Sequence, residues 1–358
     1  MASRPTVDVN LFVYNGVATV GAAIDSVLAQ TWPAVTITLI DDCSTDGTFA
    51  VLQNYARRHP AIRLKRNRCN GGAIANFQRA FWAGDSDFVM PKSGDDRIAP
   101  DFIERLMDVL LAHPDCAMAH AAGLVFRDEN EVQGAYPPEH LLLAVGEPSA
   151  RARHVMTRYT SSPSFWGVYR RAAVDRVSPI RYRAGWDHVL LAELALYGEI
   201  RHVREPLYWR RDGGKPVLHL ARAATAQAHT GLDLEDPLAE QRWRTPLITT
   251  AYAHLEMFAE SRLPGSERLA MMQAVPGIFR GRWLPWMQQE AASLGAKLPA
   301  MLERIRASEG VLRGWMARTL AETLQGAAAI VPEVNLAASM FELTVLAASV
   351  EQQHEAVA

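Results

Sequence analysis

Two acidic pairs stand directly behind short apolar stretches and could bind a nucleotide or a metal ion. Asp41-Asp42 follows the apolar residues 35–40, and Asp95-Asp96 follows a second such run. Adjacent carboxylates accept hydrogen bonds from a nucleobase N–H or a ribose hydroxyl, and they also bind Mg²⁺ or Mn²⁺. Because an Asp-Asp pair is also common on protein surfaces, the second pair alone does not decide between a metal site and a solvated turn.

A third acidic residue, Asp187, stands at the start of a predicted helix, between Trp186 and His188. A carboxylate beside an aromatic ring is desolvated, which raises its pKa and suits it to take a proton from a reacting hydroxyl. The alternative is that Asp187 caps its helix and leaves His188 exposed, just as Ser44 and Asp46 fit a helix start. The residues alone leave both roles open.

Aromatic and basic residues gather in two later segments. Residues 164–171 read SFWGVYRR, in which aromatic faces could contact a sugar and Arg170 could reach a phosphate. A core strand that ends in an arginine is the alternative. Residues 209–211, Trp-Arg-Arg, together with His202 resemble a loop that could close on a diphosphate.

Apolar periodicity predicts the elements that position these side chains. Alternating or β-branched runs indicate strands, and apolar residues three or four apart indicate helices. Predicted strands cover residues 7–13, 35–40, 61–65 and 87–90, and predicted helices cover residues 20–28, 49–56, 73–83 and 100–110. This alternation is typical of a mostly parallel sheet with helices on both faces. Because ligands of such sheets bind beyond the carboxyl ends of the strands, both acidic pairs are expected at one edge.

The character of the chain changes after about residue 215. The later part is rich in Ala, Leu, Glu, Arg and Met and is divided by Pro and Gly, which predicts helices. We therefore expect an α/β domain at residues 1–215 and a helical domain at residues 216–358. The apolar stretch 327–350 contains Glu333 and Glu342, so it predicts packed helices and not a membrane span.

Charge and cysteine content restrict partners and compartment. The formal net charge of −2 over 358 residues excludes nucleic acid as the main partner, since that needs a dense basic face. The first residues lack the apolar stretch of a secretory signal. Cys43, Cys69 and Cys116 have no metal-ligand spacing, and we expect each to be a buried, unreactive residue in a reducing compartment. The expected location is the cytoplasm.

Taken in order, the motifs of residues 5–213 resemble those of the family 2 glycosyltransferases, which have the GT-A fold. Any single match is weak, whereas the ordered set is specific. The matching segments are Tyr14-Asn15, Asp41-Asp42-x-Ser44-x-Asp46-Gly47-Thr48, Asn70-x-Gly72, Asp95-Asp96-x-x-x-Pro100, Trp166-Gly167-x-x-Arg170, Asp187 and Pro206-Leu207-Tyr208.

The resemblance implies transfer of a sugar from a nucleotide-sugar donor, with a UDP-sugar favoured, by direct displacement that inverts the anomeric carbon. Asp95 and Asp96 match the acidic motif that binds the ribose and Mn²⁺ or Mg²⁺, and Asp187 matches the catalytic base. The residues expected at the donor site are Tyr14, Asn15, Asp41, Asp42, Asn70, Asp95 and Arg170.

The acceptor is not implied and could be a saccharide, a lipid-linked glycan, a peptide or a small metabolite. The helical part, residues 216–358, lies outside the resemblance. It could complete an acceptor pocket, form a homodimer or contact a membrane that carries the acceptor. Its moderate apolarity and lack of a basic stripe favour the first two roles.

Three positions depart from the family pattern. Ser93-Gly94 stands where an acidic residue often precedes the Asp pair, Val13 replaces a frequent proline, and Ala75 stands where arginine is frequent. The first departure leaves open a binding module with a degenerate metal site, and the last removes an expected phosphate or base contact.

Two other enzyme classes bind nucleotides on similar sheets. A nucleotidyltransferase that makes nucleotide sugars should carry a basic, Gly-rich loop after the first strand, and residues 14–21 contain no Lys or Arg. A dehydrogenase should carry Gly-x-Gly-x-x-Gly there, and only Gly16 and Gly21 are present. Both classes therefore fit less well than a glycosyltransferase.

Overall fold

The computed structural model describes residues 4–127, 131–159, 163–181, 184–212, 246–307 and 310–332. The described residues form two compact units. The first contains residues 4–180 and 190–212, and the second contains residues 181–189 and the helices that begin at residue 246. The predicted boundary near residue 215 lies outside the described residues.

Residues 181–189 cluster with the helical unit, although the sequence places them in the first domain. Gly185 explains this grouping, because it has a φ of +69° and a Cβ at its position would lie 1.9 Å from Oγ1 of Thr250. The Thr250 hydroxyl in turn donates to the Ala184 carbonyl oxygen at 3.3 Å. Only glycine allows this close approach, so the segment is tied to the helical unit.

A nine-stranded sheet forms the centre of the first unit. Its order is β3-β2-β1-β4-β8-β6-β9-β5, and β7 pairs with β6 outside that path. The strands are β1 (Val7–Val13), β2 (Val35–Asp41), β3 (Arg63–Arg66), β4 (Phe88–Ser93), β5 (Arg97–Ile98), β6 (Cys116–Phe126), β7 (Val132–Ala135), β8 (Gly167–Arg170) and β9 (Glu199–Arg211).

The sheet is parallel only in part. Strands β3, β2, β1 and β4 run parallel, as the sequence predicts, and β6 is parallel to β9. Strand β8 lies antiparallel between β4 and β6, and β5 and β7 also pair in antiparallel fashion. The α/β class with a helical C-terminal part is confirmed, while the sheet is mixed because later strands insert in reverse direction.

Among the described residues up to 212, seven α-helices precede or connect these strands. They bury apolar stripes such as Val20, Ala23, Ile24 and Val27 of the first helix, which gives the central core of the unit. The helices are α1 (Val20–Leu28), α2 (Thr48–Arg58), α3 (Gly72–Phe81), α4 (Phe102–Ala112), α5 (Pro148–Arg158), α6 (Arg171–Val174) and α7 (Trp186–Tyr197).

Pro91 lies inside β4, whereas the sequence predicts that the strand ends there. A proline has no N–H for a strand ladder and is tolerated where one side of a strand is unpaired. Strand β8 pairs only with Phe88 and Val89 of β4, so the side of β4 that faces β8 is unpaired at Pro91. The strand therefore continues to Ser93 along β1 alone.

The second unit consists of long helices, as predicted. They are α8 (Pro246–Glu260), α9 (Gly265–Ala307) and α10 (Gly310–Ile330). Helix α9 is kinked at Trp283, whose φ is −138°, because Pro285 two residues later cannot complete the helical hydrogen bonds. In the described part of the chain, no helix is both long enough and apolar enough to cross a membrane.

A buried carboxylate holds the first turn of α8. Glu290 of α9 accepts hydrogen bonds from the main-chain N–H groups of Leu247 and Ile248, each at 3.1 Å. These N–H groups have no partner within their own helix, so Glu290 supplies an N-cap from another helix. Burial raises the pKa of Glu290 to about 7, although the two amides oppose that shift.

The raised pKa of Glu290 predicts a pH-dependent stability of the helical unit. Between pH 4.5, the ordinary value, and about 7 the folded state binds more protons than the unfolded state, so stability decreases as the pH rises through this window. The Glu290→Gln variant keeps an acceptor and carries no charge. We expect it to lose less stability than the wild type between pH 5 and 8, by on the order of 2 kcal/mol.

Urea unfolding monitored by tryptophan fluorescence at the two pH values measures this difference. Glu303→Gln, on the exposed side of the same helix, is the matched control and should keep the pH dependence of the wild type. Equal pH dependence in Glu290→Gln and the wild type would show that Glu290 is ionised throughout the range.

Candidate active site

Strand register brings three loops to one edge of the sheet. Val13 of β1 pairs with Asp41 of β2, and Phe12 pairs with Ser93 of β4, so the three parallel strands end together. Two further bonds extend the ladder, from Asp42 N to Val13 O at 2.9 Å and from Gly94 N to Phe12 O at 3.0 Å. Both acidic pairs therefore follow strands at the same edge, as the sequence predicts.

The loops after β1 and β2 are joined through Asn15. This residue has a φ of +48°, a conformation in which asparagine is enriched. Its main-chain N–H donates to Oγ of Ser44 at 3.0 Å, and its Oδ1 accepts from Thr45 N at 2.8 Å. The adjacent Tyr14 is 44% exposed. Asn15 therefore fixes the loop, while the Tyr14 ring remains accessible to a ligand.

Ser44 and Asp46 have different local roles. Ser44 accepts from the neighbouring loop and does not cap a helix. Asp46 accepts from Thr48 N at 2.8 Å at the start of α2, and its other oxygen accepts from Val17 N at 3.2 Å. Asp46 therefore forms a local turn that leads into α2, whose N-cap is Gly47, whereas Ser44 holds Asn15.

Asp41 and Asp42 are both buried and are bound within the protein. Asp41 lies 3.0 Å from Nε of Arg66 and also accepts from Ser44 N. Asp42 accepts from Nδ2 of Asn67 at 2.6 Å and from Gly71 N at 3.1 Å. These contacts give the carboxylates fixed positions at the edge. A nucleoside that binds either one must share an oxygen that already accepts a hydrogen bond.

The loop between β3 and α3 is ordered by Asn70. Its Oδ1 accepts from Gly72 N at 2.8 Å, and Gly72 has a φ of +79°. Because Gly71 donates to Asp42, this loop lies directly against the first acidic pair. Asn70 is therefore placed beside the predicted nucleoside residues, and its own contact is a turn that shapes the loop.

The second acidic pair contains one exposed and one buried carboxylate. Asp95 is exposed and accepts from the Ser93 hydroxyl. Asp96 is 4% exposed, and its two oxygens accept from the Tyr208 hydroxyl and from Arg211 N at 2.8 Å. Burial raises the pKa of Asp96 to about 6, and the charge of Asp95 adds to that shift. Asp95 is thus the carboxylate that faces solvent.

The turn that carries this pair is built from two further residues. Lys92 is fully buried, and its Nζ donates to the carbonyl oxygens of Ser93 at 2.8 Å and Asp96 at 2.6 Å. Burial lowers the pKa of Lys92 to about 8. A Cβ at Gly94 would lie 2.7 Å from Cβ of Val13, so the two departures from the family pattern are in contact. Val13 occupies the space that a side chain at position 94 would need.

The metal prediction fits Asp95 better than Asp96. Within the described ranges, no group of three or more His, Cys, Asp or Glu side chains is arranged to hold a metal ion. Mg²⁺ or Mn²⁺ bound together with substrate phosphates needs only one or two protein carboxylates, and the solvent-facing Asp95 meets that requirement. Both carboxylate oxygens of Asp96 already accept hydrogen bonds, from Tyr208 and from Arg211, and these bonds hold the turn in place.

Strand β9 contributes Tyr208 and Arg210, for which the sequence predicted only a motif match and a loop near the diphosphate. Tyr208 binds Asp96 and stacks on Trp166, with ring centroids 6.2 Å apart and planes 7° apart. Arg210 donates to the Tyr136 hydroxyl at 2.7 Å. Burial opposes its charge, but this bond and the nearby Asp96 raise the pKa of Arg210. The ordered pairing of β9 with β6 positions these side chains, and that long-range pairing has no local sequence signal.

Arg170 does not belong to this edge. It pairs with Phe88, the first residue of β4, and thus lies at the opposite end of the strand from Asp95. Its guanidinium donates to the carbonyl oxygens of Cys116 at 2.9 Å and Leu110 at 2.7 Å. The prediction that Arg170 contacts the donor is therefore corrected. It is the arginine at the end of a core strand, and it lines a separate cavity of about 330 Å³.

Asp187 lies half-buried in the first turn of α7. The adjacent His188 is buried, which differs from the exposure that the capping alternative assumes. Nδ1 of His188 lies 2.8 Å from Nε2 of His254, and burial lowers the pKa of His188 to about 3. The contact between the two buried histidines holds the helix start on which Asp187 stands. The role of Asp187 as a base stays a prediction.

The cysteines differ from the prediction of three buried residues. Cys116 is buried, as predicted. Cys43 is half-buried and Cys69 is exposed, and both lie in the loops that surround Asp42. Their neighbours along the chain are polar, so the loops that hold the site keep them near the surface.

Comparison with known proteins agrees with this architecture. Residues 9–176 match the family model described as glycosyl transferase family 2. The putative glycosyltransferase EpsE of Bacillus subtilis is 31% identical over 154 residues, which are 43% of this chain and 54% of that protein. The uncharacterized glycosyltransferase YibD of Escherichia coli is 28% identical over 199 residues, or 52% and 55% of the two chains. The chain spans about half the length of these curated relatives.

A solved structure shows the same fold. Residues 1–349 of S. aureus TarS, in complex with UDP-GlcNAc, align with a TM-score of 0.56 and 14% identity over 91% of this chain and 90% of that chain. The architecture is thus GT-A-like. The match to the family 2 glycosyltransferases is carried by residues 9–176, just under half of the chain.

Proposed function

We propose that the protein transfers a sugar from a nucleotide-sugar donor, with a UDP-sugar favoured, to an acceptor hydroxyl. The observation that carries this proposal is the convergence of the Asn15 loop, the Asp41-Asp42 loop and the Asp95-Asp96 turn at one sheet edge. Residues 1–349 of TarS, which have the same fold and a length similar to that of this chain, were crystallised in complex with UDP-GlcNAc. The match of residues 9–176 to the family 2 glycosyltransferases supports glycosyl transfer over nucleotidyl transfer.

The nucleoside is proposed to bind between the first two loops. The Tyr14 ring is accessible for stacking. Asp41 and Asp42 are buried, so each would accept from a base N–H or a ribose hydroxyl through an oxygen that already accepts a hydrogen bond within the protein. Asn15 and Asn70 hold the two loops in place through bonds to Thr45 N and Gly72 N. The nucleoside would therefore meet a preformed surface, which lowers the entropic cost of binding.

The diphosphate is proposed to lie beside Asp95. A Mg²⁺ or Mn²⁺ ion held there would act as a Lewis acid on the departing phosphate. Asp95 would supply the ligand, and Asp96 and Lys92 fix the turn. Arg210 is proposed for the phosphate contact that was expected of Arg170. The Arg210 guanidinium, oriented by the hydroxyl of Tyr136, adds positive charge near the leaving group.

Displacement with inversion needs one base for the acceptor hydroxyl, and Asp187 is proposed for that role. The carboxylate would remove the proton as the hydroxyl oxygen attacks the anomeric carbon. Contact with a membrane-borne acceptor and formation of a homodimer stay predictions, as does a cytoplasmic location. A binding module without turnover is the alternative, since Ser93 stands where the family often has an acidic residue.

The metal assignment predicts separate effects for the two carboxylates. Asp95→Asn removes a charged ligand, so Mn²⁺ should increase UDP affinity less in this variant than in the wild type. We expect the factor of increase to be at least about tenfold smaller, which is a loss of roughly 1.4 kcal/mol. Calorimetric titration of UDP with and without Mn²⁺ measures the effect. Asp85→Asn, another exposed carboxylate of the same unit, is the control. Unchanged Mn²⁺ dependence in Asp95→Asn would exclude Asp95 as the ligand.

The base assignment predicts a loss of turnover without a loss of donor binding. Asp187→Asn should decrease the rate by about 10²–10⁴, the usual contribution of a general base, because the amide cannot take a proton. Donor turnover and UDP affinity are measured in parallel, with the exposed Asp175→Asn as control. Wild-type turnover in Asp187→Asn would remove this residue from the mechanism. Nucleotide binding by the wild type with no turnover on any donor would favour the binding module.

A further inference from the structure

Two cysteines lie in the loops on either side of Asp42. Cys43 follows the acidic pair after β2, and Cys69 lies in the loop between β3 and α3. Cys69 is exposed and Cys43 is half-buried, so reagents in solution can reach this pair, whereas Cys116 is fully buried. Cys43 has a φ of +62°, so its backbone is held in a conformation that few residues other than glycine, asparagine and aspartate adopt.

The two cysteines are close in space although they are 26 positions apart. The thiol of Cys43 donates to the main-chain oxygen of Arg68 at 3.7 Å. That oxygen belongs to the peptide bond that joins Arg68 to Cys69. Planar peptide geometry places it about 2.8 Å from the Cα of Cys69, so Sγ of Cys43 lies at most about 6.5 Å from that Cα. Since Sγ of a cysteine lies about 2.8 Å from its own Cα, the two Cα atoms are at most about 9.3 Å apart. A disulfide has a Cα–Cα distance of about 4.4–6.8 Å, so a loop movement of at most about 2.5 Å brings the pair within that range.

The loop that carries Cys69 is bonded to both acidic residues of the proposed nucleoside site. Asn67 N donates to the Asp41 carbonyl oxygen at 2.8 Å, and Gly71 N donates to the Asp42 carboxylate at 3.1 Å. Cys69 lies between Asn67 and Gly71 along the chain. A covalent bond that pulls Cys69 toward Cys43 must therefore shift the donors that hold Asp42.

We propose that Cys43 and Cys69 are a reversible redox modification site, in which a disulfide between them weakens nucleotide binding. The oxidant is a peroxide. The thiolate of the exposed Cys69 attacks one peroxide oxygen, the O–O bond breaks, and a sulfenic acid and one water form. The thiolate of Cys43 then attacks the sulfenic sulfur and displaces the oxygen as a second water. Two thiols and one hydrogen peroxide thus give one disulfide and two waters.

The first test is chemical and does not depend on any activity. The full-length reduced protein is treated with hydrogen peroxide, its remaining thiols are blocked with N-ethylmaleimide under denaturing conditions, and peptides are mapped without reduction. We expect one peptide pair linked through Cys43 and Cys69, with Cys116 recovered as the maleimide adduct. Sulfinic acid at Cys69 together with an alkylated Cys43 would overturn the proposal, as would recovery of all three cysteines alkylated.

The second test measures the coupling to the nucleotide and rests on the proposed function. UDP is titrated into the reduced protein, the oxidised protein and the oxidised protein after dithiothreitol. We expect at least about a fivefold loss of affinity on oxidation, the lower end of typical coupling between sites, and recovery on reduction. The double variant C43S/C69S should bind UDP equally before and after peroxide, and C116S should respond like the wild type.

Equal UDP affinity of the reduced and the disulfide-linked protein would overturn the coupling. A peroxide effect that persists in C43S/C69S would do the same, because it would arise at another residue. If the reduced wild type does not bind UDP at all, the proposed function fails, and so does the effect on the nucleotide. The peptide map then still decides whether the pair forms, so the two failures are distinguishable.

Discussion

The common register of three parallel strands is the constraint on which the site depends. Because Val13 lies opposite Asp41 and Phe12 opposite Ser93, strands β1, β2 and β4 end at the same level. A shift of one residue in either pairing would turn every side chain of that strand to the other face. The buried apolar residues of β1, including Val7, Val9 and Leu11, resist such a shift. Core packing thereby fixes the positions of carboxylates that lie beyond the core.

Beyond the strand ends, the site is held by polar groups whose hydrogen bonds are satisfied within the protein. Asp42, Asp96 and Lys92 are all buried, and each binds main-chain atoms. Asp42 accepts from the loop between β3 and α3, Asp96 accepts from the end of β9, and Lys92 donates to carbonyl oxygens of the turn that follows it. Removal of one partner from such a network leaves a buried donor or acceptor unmet, which costs about 1–3 kcal/mol. The loops are therefore preorganised, while Tyr14 and Asp95 at their surface stay exposed. The exposed side chains can meet a ligand directly, whereas the buried Asp42 would share an oxygen that already accepts a hydrogen bond.

Local patterns predicted the first half of the fold well, because parallel strands and their helices are encoded by nearby residues. The placement of Asp41 and Asp95 at one edge followed from that pattern alone. Arg170 was misassigned because its segment matches a family motif, and only the pairing with Phe88 reveals that it lies at the other end of the strand. Lys92 was missed, since a lysine in a strand gives no sign that its Nζ turns inward to two carbonyl oxygens. Such long-range contacts require the folded structure.

A crystal structure with UDP and Mn²⁺ would locate the donor and the metal ion. We expect the uracil beside Tyr14 and Asp42, and the metal ion bound to a carboxylate oxygen of Asp95 and to the diphosphate, at the edge where β1, β2 and β4 end. Nucleotide bound instead in the cavity lined by Arg151 and Arg170, or metal without contact to Asp95, would show that this edge is not the donor site.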